Sequence, residues 1–310
     1  MLPLVDGGPR RLVHGVFGTL MRRNAKLPDP PSLPPAVAER WARAWGEDVV
    51  AAAARLIATP PPLDLVGAPP AEVEGTSLMP GHLRLARGTA VAGITGFGEG
   101  HWWVQDISAS IPARLLGHGA GRTALDLCAA PGGKTMQLAA AGFAVTAVDA
   151  SQARLGRLRE NLERTGLSAE VVAGDVMTWA PKAPVDAVLL DAPCSATGIY
   201  RRHPEVLHRV RPRAIAELAE AQARMLARAA QWLKSGGTLV YSVCSLEPEE
   251  GEKVAEAFLA AHPDHTLVPI ASDELPEGLE GGDMLRILPG AFEAEGGADS
   301  FFIARFRRAG

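Results

Sequence analysis

Two cysteines frame the question of chemistry. Cys194 stands in DAPCSATG and Cys244 in YSVCSLEPEE, each followed by serine and each just past an apolar run of strand character. A lone cysteine is most often a small buried hydrophobe, but two in matching positions behind two strands point to a shared task. A thiolate suits attack on an electron-poor ring carbon, and that step needs an acid or a cation close by to handle charge. Asp191 and Lys134 are available for it. The third cysteine, Cys128, completes neither a CxxC pair nor a zinc-ligand spacing, so no disulfide framework and no metal are expected. An odd, sparse set of thiols fits a reducing compartment, and the cytoplasm is the expected location.

A second constellation is LDLCAAPGGKT, Leu125 to Thr135. A strand that ends in a Gly-rich turn before a helix brings backbone close to a ligand and aims helix N–H groups at it. A Walker A loop ending at Gly133-Lys134-Thr135 would need glycine at position 128, where Cys128 stands, and no GxGxxG fingerprint is present. Acids close the later apolar runs: Asp149, Asp175 and Asp191. Carboxylates there accept hydrogen bonds, so Asp149 is expected on a ribose and Asp175 on the exocyclic amine of an adenine. A single strand-end acid is more often a helix N-cap. Three on one edge, beside this turn, favour a cofactor that carries an adenosyl group.

These side chains need a frame that gathers strand ends. From residue 122 the pattern alternates, with strands over Ala124–Cys128, Ala144–Val148, Glu170–Ala173, Asp186–Leu190 and Thr238–Val243. Helical patterns cover Ala150–Thr165, Arg213–Lys234 and Glu249–His262, the second stopped by Gly236-Gly237. Such alternation predicts a parallel, doubly wound sheet, with ligands beyond the carboxyl ends of its strands. The fourth and fifth of these strands are then neighbours, and both thiols face one crevice. DSFFIARF, with its alternating aromatics, suits a closing antiparallel strand.

Upstream, AVAERWARAWGEDVVAAAARLIA is helical, with Trp41 and Trp45 as core anchors, and TPPPLDLVGAPP breaks it. HLRLA, AVAGITG and HWWVQD read as short strands. Three segments are expected: a helix and Pro-rich linker over 1–34, a small α+β module over 35–115 whose aromatic and basic groups suit single-stranded nucleic acid, and the doubly wound domain over 116–310.

With 310 residues, 47% hydrophobic and 21% charged, the composition is that of a soluble globular protein. A net charge of −4 argues against wholesale coating by nucleic acid, but arginines cluster in Arg10-Arg11, in Arg22-Arg23 with Lys26, in Arg154, Arg157 and Arg159, and in RRHPEVLHRVRPR from Arg201 to Arg213. No apolar run is long enough to span a bilayer, so no membrane partner is expected. A monomer is expected.

CAAPGGKT at 128–135, Asp149, Gly174-Asp175, DAPCSATG at 191–198, RRHP at 201–204 and YSVCSLEPEE at 241–250 together resemble one family. VQD at 104–106 and the DSFFIARF ending agree with it. The chain resembles, over residues 35–308, the RNA (cytosine-5) methyltransferases of the Nol1/Nop2/Sun group, and most closely their bacterial Sun/Fmu type. The resemblance implies a Rossmann-like class I methyltransferase domain that transfers a methyl group from S-adenosyl-L-methionine to C5 of a cytosine in RNA, 16S ribosomal RNA foremost. The cofactor would lie along Cys128, Ala129, Ala130, Pro131, Gly132, Gly133 and Lys134, with Asp149, Arg154, Asp175 and Asp191 around it. Cys244 would be the nucleophile at C6, Cys194 would help remove the C5 proton, Asp191 would hold the N3 side of the ring, and Lys134 would serve the same catalytic set. The 201–213 arginines would lie beside the phosphates of the target, and the nucleic acid held by the 35–115 module would be RNA.

The sequence departs from the family at Val243, where threonine is usual, and at Ser300, where glycine is usual. Residues 1–25 resemble only the last helix of the all-helical domain of longer members, leaving the chain a short form or a truncated one. Rival readings are methylation of transfer RNA, a DNA cytosine-5 methyltransferase with Cys194 as nucleophile, and an inactive RNA-binding scaffold.

Overall fold

The computed structural model describes residues 8–26, 28–86 and 88–310, so residues 1–7 of the expected N-terminal segment and Leu27 of its linker lie outside it. The chain divides into two compact units, Met1–Ser32 and Leu33–Gly310. The first contains helix α1 (Gly8–Arg22), whose Leu12, Val16 and Leu20 recur at helical spacing, with Arg22 in its last turn.

In the second unit, α2 (Pro35–Trp45) and α3 (Glu47–Ala58) come first. Pro35 occupies the first turn, where its missing N–H costs nothing. Three antiparallel strands follow, β1 (Leu63–Gly67), β2 (His82–Leu85) and β3 (Trp102–Val104), in the order β2-β1-β3. β1 falls inside the Pro-rich stretch read only as a helix breaker. Its prolines flank the strand, Pro60 to Pro62 before it and Pro69-Pro70 after it, and Leu63 and Leu65 pair with Leu85 and Leu83. AVAGITG, by contrast, is not a strand: Val91–Gly93 forms a 3₁₀ turn, since the run has too few side chains to hold a ladder.

Helix α4 (Ile107–Arg114) starts at an Asp106 N-cap and leads into the large sheet. Its elements are β4 (Thr123–Leu127), α5 (Gly133–Ala140), β5 (Ala144–Asp149), α6 (Gln152–Thr165), β6 (Glu170–Ala173) and β7 (Val185–Asp191). Then come α7 (Val206–Arg209), α8 (Pro212–Ala230), β8 (Leu233–Val243), α9 (Glu252–Ala261), β9 (His265–Leu267), β10 (Met284–Ile287) and β11 (Phe301–Arg308). The order is β10-β11-β8-β7-β4-β5-β6, with β9 on β11. β4 to β8 run parallel, and β11 lies antiparallel to β8, as the aromatic ending predicts. Alternate residues face opposite layers. Val188 and Leu190 meet Leu226 of α8 and Phe258 of α9, whereas Ala187 and Leu189 meet Ile111 of α4 and Leu138 of α5. This is the doubly wound sheet of a Rossmann-like class I fold.

One boundary differs from expectation. α8 ends at Ala230, and Gly236-Gly237 lie within β8, where the pairing with β7 slips between Val185 and Ala187. The glycines make a bulge in the strand rather than a stop for the helix, which ends before Trp232 and Leu233 turn into the core. Pairing aligns the strand ends on one edge: Leu127 opposite Val148 and Leu190, and Asp191 opposite Ser242.

Candidate active site

At the end of β4 the chain turns sharply. Cys128 takes φ +61° and Gly132 φ +106°, left-handed values that glycine adopts without strain. A Cβ on Gly132 would also press on the Leu158 side chain at 3.0 Å, and one on Gly133 would sit 3.2 Å from the Gln105 amide. The turn is therefore pinned between α6 and the segment after β3. Ala130 N–H donates to Asp149 Oδ2 at 3.1 Å, so the acid ending β5 holds the turn directly. Asp149 Oδ1 accepts from Ser151 N–H, and Arg154 pairs with Oδ2. Burial, with the charges of Asp191, Asp149 and Asp126 added, pushes the Cys128 thiol up to about 12, which disfavours its thiolate.

Lys134, in the first turn of α5, donates from Nζ to Asp191 Oδ2 at 2.8 Å and lies over the Phe301 ring at 5.4 Å. Burial alone would lower its pKa, but the charge and hydrogen bond of Asp191 outweigh this and raise it. Ser242 Oγ, on the adjoining strand, donates to Asp191 Oδ1 at 2.8 Å. The carboxylate is thus held from both sides, with 31% of its side chain still exposed.

The two thiols meet as the topology predicts. Cys194 Sγ and Cys244 Sγ are 3.5 Å apart, one beyond β7 and the other beyond β8. The hydrogen bond to Cys244 raises the Cys194 pKa most, and burial adds to this. Glycine is required at Gly198 between them: a Cβ there would lie 2.1 Å from the Ser300 carbonyl and 3.0 Å from that of Cys244.

A cavity of about 700 Å³ opens beside this edge. Its walls include the turn from Cys128 to Pro131, Gly133 and Lys134, and Asp191. Across from them stand Trp103, Gln105, Asp106, Arg202 and Asp299. Asp149, Arg154, Cys194 and Cys244 are not among the lining residues. Asp175 is apart from the rest: it is exposed, one residue past Gly174, and its Oδ1 accepts from Met177 N–H at 2.8 Å.

Several lining acids lie in motifs quoted from the sequence but were given no role there. Asp126 is fully buried in β4, one oxygen bonded by Thr135 Oγ1 at 2.5 Å and the other without a partner. Burial pushes its carboxyl up to about 7. An acid inside the apolar run LDL was the available signal, because such a charge is costly to bury without purpose. Asp106 and Asp299 flank Arg202, whose guanidinium bonds both, at 2.5 Å and 3.0 Å. Burial, with the charge of Asp106 next, pushes Asp299 up to about 7. No spacing rule links positions 106, 202 and 299.

The basic run is corrected by the same geometry. Arg201 is buried and bonds the Gly296 carbonyl, and Arg202 is taken up by its two carboxylates. Neither is a free phosphate contact. Arg209, Arg211 and Arg213 are exposed. No group of His, Cys, Asp and Glu fit to hold a metal occurs among the described residues, and none of their helices is long and apolar enough to cross a membrane.

Residues 113–307 match the family of 16S rRNA methyltransferases RsmB/F. The chain belongs to this family. Among RsmB/F relatives, the ribosomal RNA small subunit methyltransferase B of Citrobacter koseri is 44% identical over 234 residues, 74% of this chain and 52% of its own length. That of Sodalis glossinidius is 46% identical over 209 residues, 66% of this chain and 48% of its own. This RsmB/F chain thus spans about half the length of these relatives. A methyltransferase homologue from Pyrococcus horikoshii superposes with a TM-score of 0.73 at 25% identity, covering 88% of this chain and 94% of its own.

Proposed function

We propose that this RsmB/F chain transfers the methyl group of S-adenosyl-L-methionine to C5 of a cytosine in RNA, with small-subunit ribosomal RNA as substrate. The observation that carries the reading is the sulfur pair, 3.5 Å apart, set beside the Asp191–Lys134 ion pair. The names of the relatives from Citrobacter koseri and Sodalis glossinidius support the choice of RNA.

The site fits the cofactor. The unpartnered oxygen of Asp126 belongs to a residue lining the cavity, and the turn from Cys128 to Pro131 with Gly133 and Lys134 forms its wall. Cys128, Ala129, Ala130, Pro131, Gly132, Gly133 and Lys134 would cradle it. Asp149 and Arg154 would take the ribose side, Asp175 the adenine and Asp191 the amino-acid end. S-adenosyl-L-methionine, when bound, supplies an electrophilic methyl group.

The chain's own residues account for the rest. Cys244 adds through sulfur to C6 of the cytosine, which places electron density on C5. Asp191 bonds the N3 side of the ring, and Lys134 offsets charge that develops there. C5 then takes the methyl group and carries it beside its proton. Cys194 acts as base once its own proton has passed to solvent: its thiolate takes the C5 proton as the C6–sulfur bond breaks, which restores the ring double bond and releases Cys244 as a thiolate. We infer a cytoplasmic monomer.

Labelled methyl transfer to small-subunit ribosomal RNA, transfer RNA and DNA tests the reading, with bisulfite mapping of the product. Label in ribosomal cytosines supports it. Label only in DNA, or none at all, overturns it.

A further inference from the structure

The mechanism leaves Glu250 unused, yet this side chain is fully buried and, among the described residues, makes no ion pair. A carboxylate so placed is costly unless hydrogen bonds replace its water. Oε1 accepts from Ser195 N–H at 2.8 Å and from Gln222 Nε2 at 3.1 Å. Oε2 accepts from the hydroxyls of Ser195 and Ser245. These serines directly follow Cys194 and Cys244, which accounts for the repeated Cys-Ser of the sequence. The bridge is anchored from below: Tyr241 Oη, on β8, donates to the Glu250 carbonyl at 2.5 Å, and Gln222 of α8 donates to the Pro193 carbonyl at 2.9 Å.

We propose that Glu250 is a positioning residue whose carboxylate clamps the two cysteine loops together and so sets the separation of the sulfurs. The inference rests on the function proposed above and deepens it. Two loops that follow different strands have no covalent reason to hold their thiols in register. One carboxylate shared by the next residue of each supplies it, and Glu250 itself touches neither the cavity nor the reacting atoms. Misplacing a reacting group by ~1 Å can cost about a hundredfold in rate.

Two substitutions separate charge from reach. Glu250→Gln keeps the length but loses one acceptor oxygen, and Glu250→Asp keeps the charge but is too short to reach both loops. Each should lower kcat at least about tenfold, with KM for RNA and Kd for S-adenosyl-L-methionine within about twofold of the parent, because the clamp lies outside the cavity. Each should also slow formation of the Cys194–Cys244 disulfide by diamide, which reports the sulfur separation without turnover. If neither variant folds, the Ser195→Ala, Ser245→Ala double variant is read by the same measurements. Folded variants with parental kcat and parental bridging rates overturn the clamp. A parent protein that bridges normally but methylates no RNA overturns the proposed function instead, and the bridging rates of the variants still judge the clamp.

Discussion

The two sulfurs, 3.5 Å apart, are proposed to take different steps. With Cys244 as the nucleophile, Cys244→Ala should abolish turnover and form no covalent complex with RNA. Cys194→Ala should instead stall after methylation and accumulate a protein–RNA adduct that survives denaturing gels; the opposite pattern would reverse the assignment. Asp126 gives a pH signature. Its folded pKa of about 7 lies above the ordinary 3.8, so the native state binds the extra proton between these values. Stability contributed by the protonated group is therefore fully present below about 4 and lost as pH rises through about 7, on the order of a few kcal/mol. Asp126→Asn should flatten that fall, measured as the difference from the parent in urea unfolding across pH, since Asp299 titrates in the same range in both.

Elements meet at the cavity through side chains that cross between them. Trp41 of α2 packs edge-on against Tyr200 at 5.6 Å and bonds Glu247, while Trp45 bonds the Leu246 carbonyl. The first helices of the second unit thereby brace the segments after both cysteines. Gln105 donates to Gln137 of α5 at 2.8 Å and accepts from Trp103, which ties the small sheet to the turn after β4. Arg202 ties the N-cap of α4 to the lead into β11. Arg202→Ala would leave Asp106 and Asp299 without the cation that bonds them both, and breaking a buried pair in this way costs roughly 3–5 kcal/mol. A matching drop in unfolding free energy is expected, and Arg202→Ala, Asp299→Asn should recover part of it. Independent losses from the two changes would show that they do not act together.

For the molecule as a whole, a net charge of −4 leaves RNA affinity to local basic groups. Arg201 is buried and Arg202 is held by two carboxylates, so the exposed Arg209 and Arg211 are the groups expected to meet phosphates. Replacing both with glutamine should reduce the dependence of log affinity on log salt by about 0.7 for each phosphate no longer neutralised. The same change at Arg202 should act through stability and leave that slope alone. Filter binding over a salt series distinguishes the two; a slope unaltered by removal of Arg209 and Arg211 would place the RNA elsewhere.

The sequence by itself determined the parallel sheet, because apolar runs alternating with helical periods have few other solutions. It also placed the Pro-Gly-Gly turn, the acids Asp149 and Asp191 at strand ends and the nearness of the two thiols, since parallel strands gather their carboxyl ends on one edge. It did not reveal β1, whose five residues hide behind prolines, or the end of α8, where a bulge mimics a helix stop. Above all, sequence spacing could not tell an arginine on the surface from one held inside. Arg202 finds Asp106 and Asp299 only once the chain has brought α4 and β11 to the same wall. The Glu250 clamp is of the same kind: its partners lie 28 and 55 residues away at Gln222 and Ser195. Which buried charges meet is decided by tertiary packing, because a carboxylate leaves water only where the fold supplies its donors.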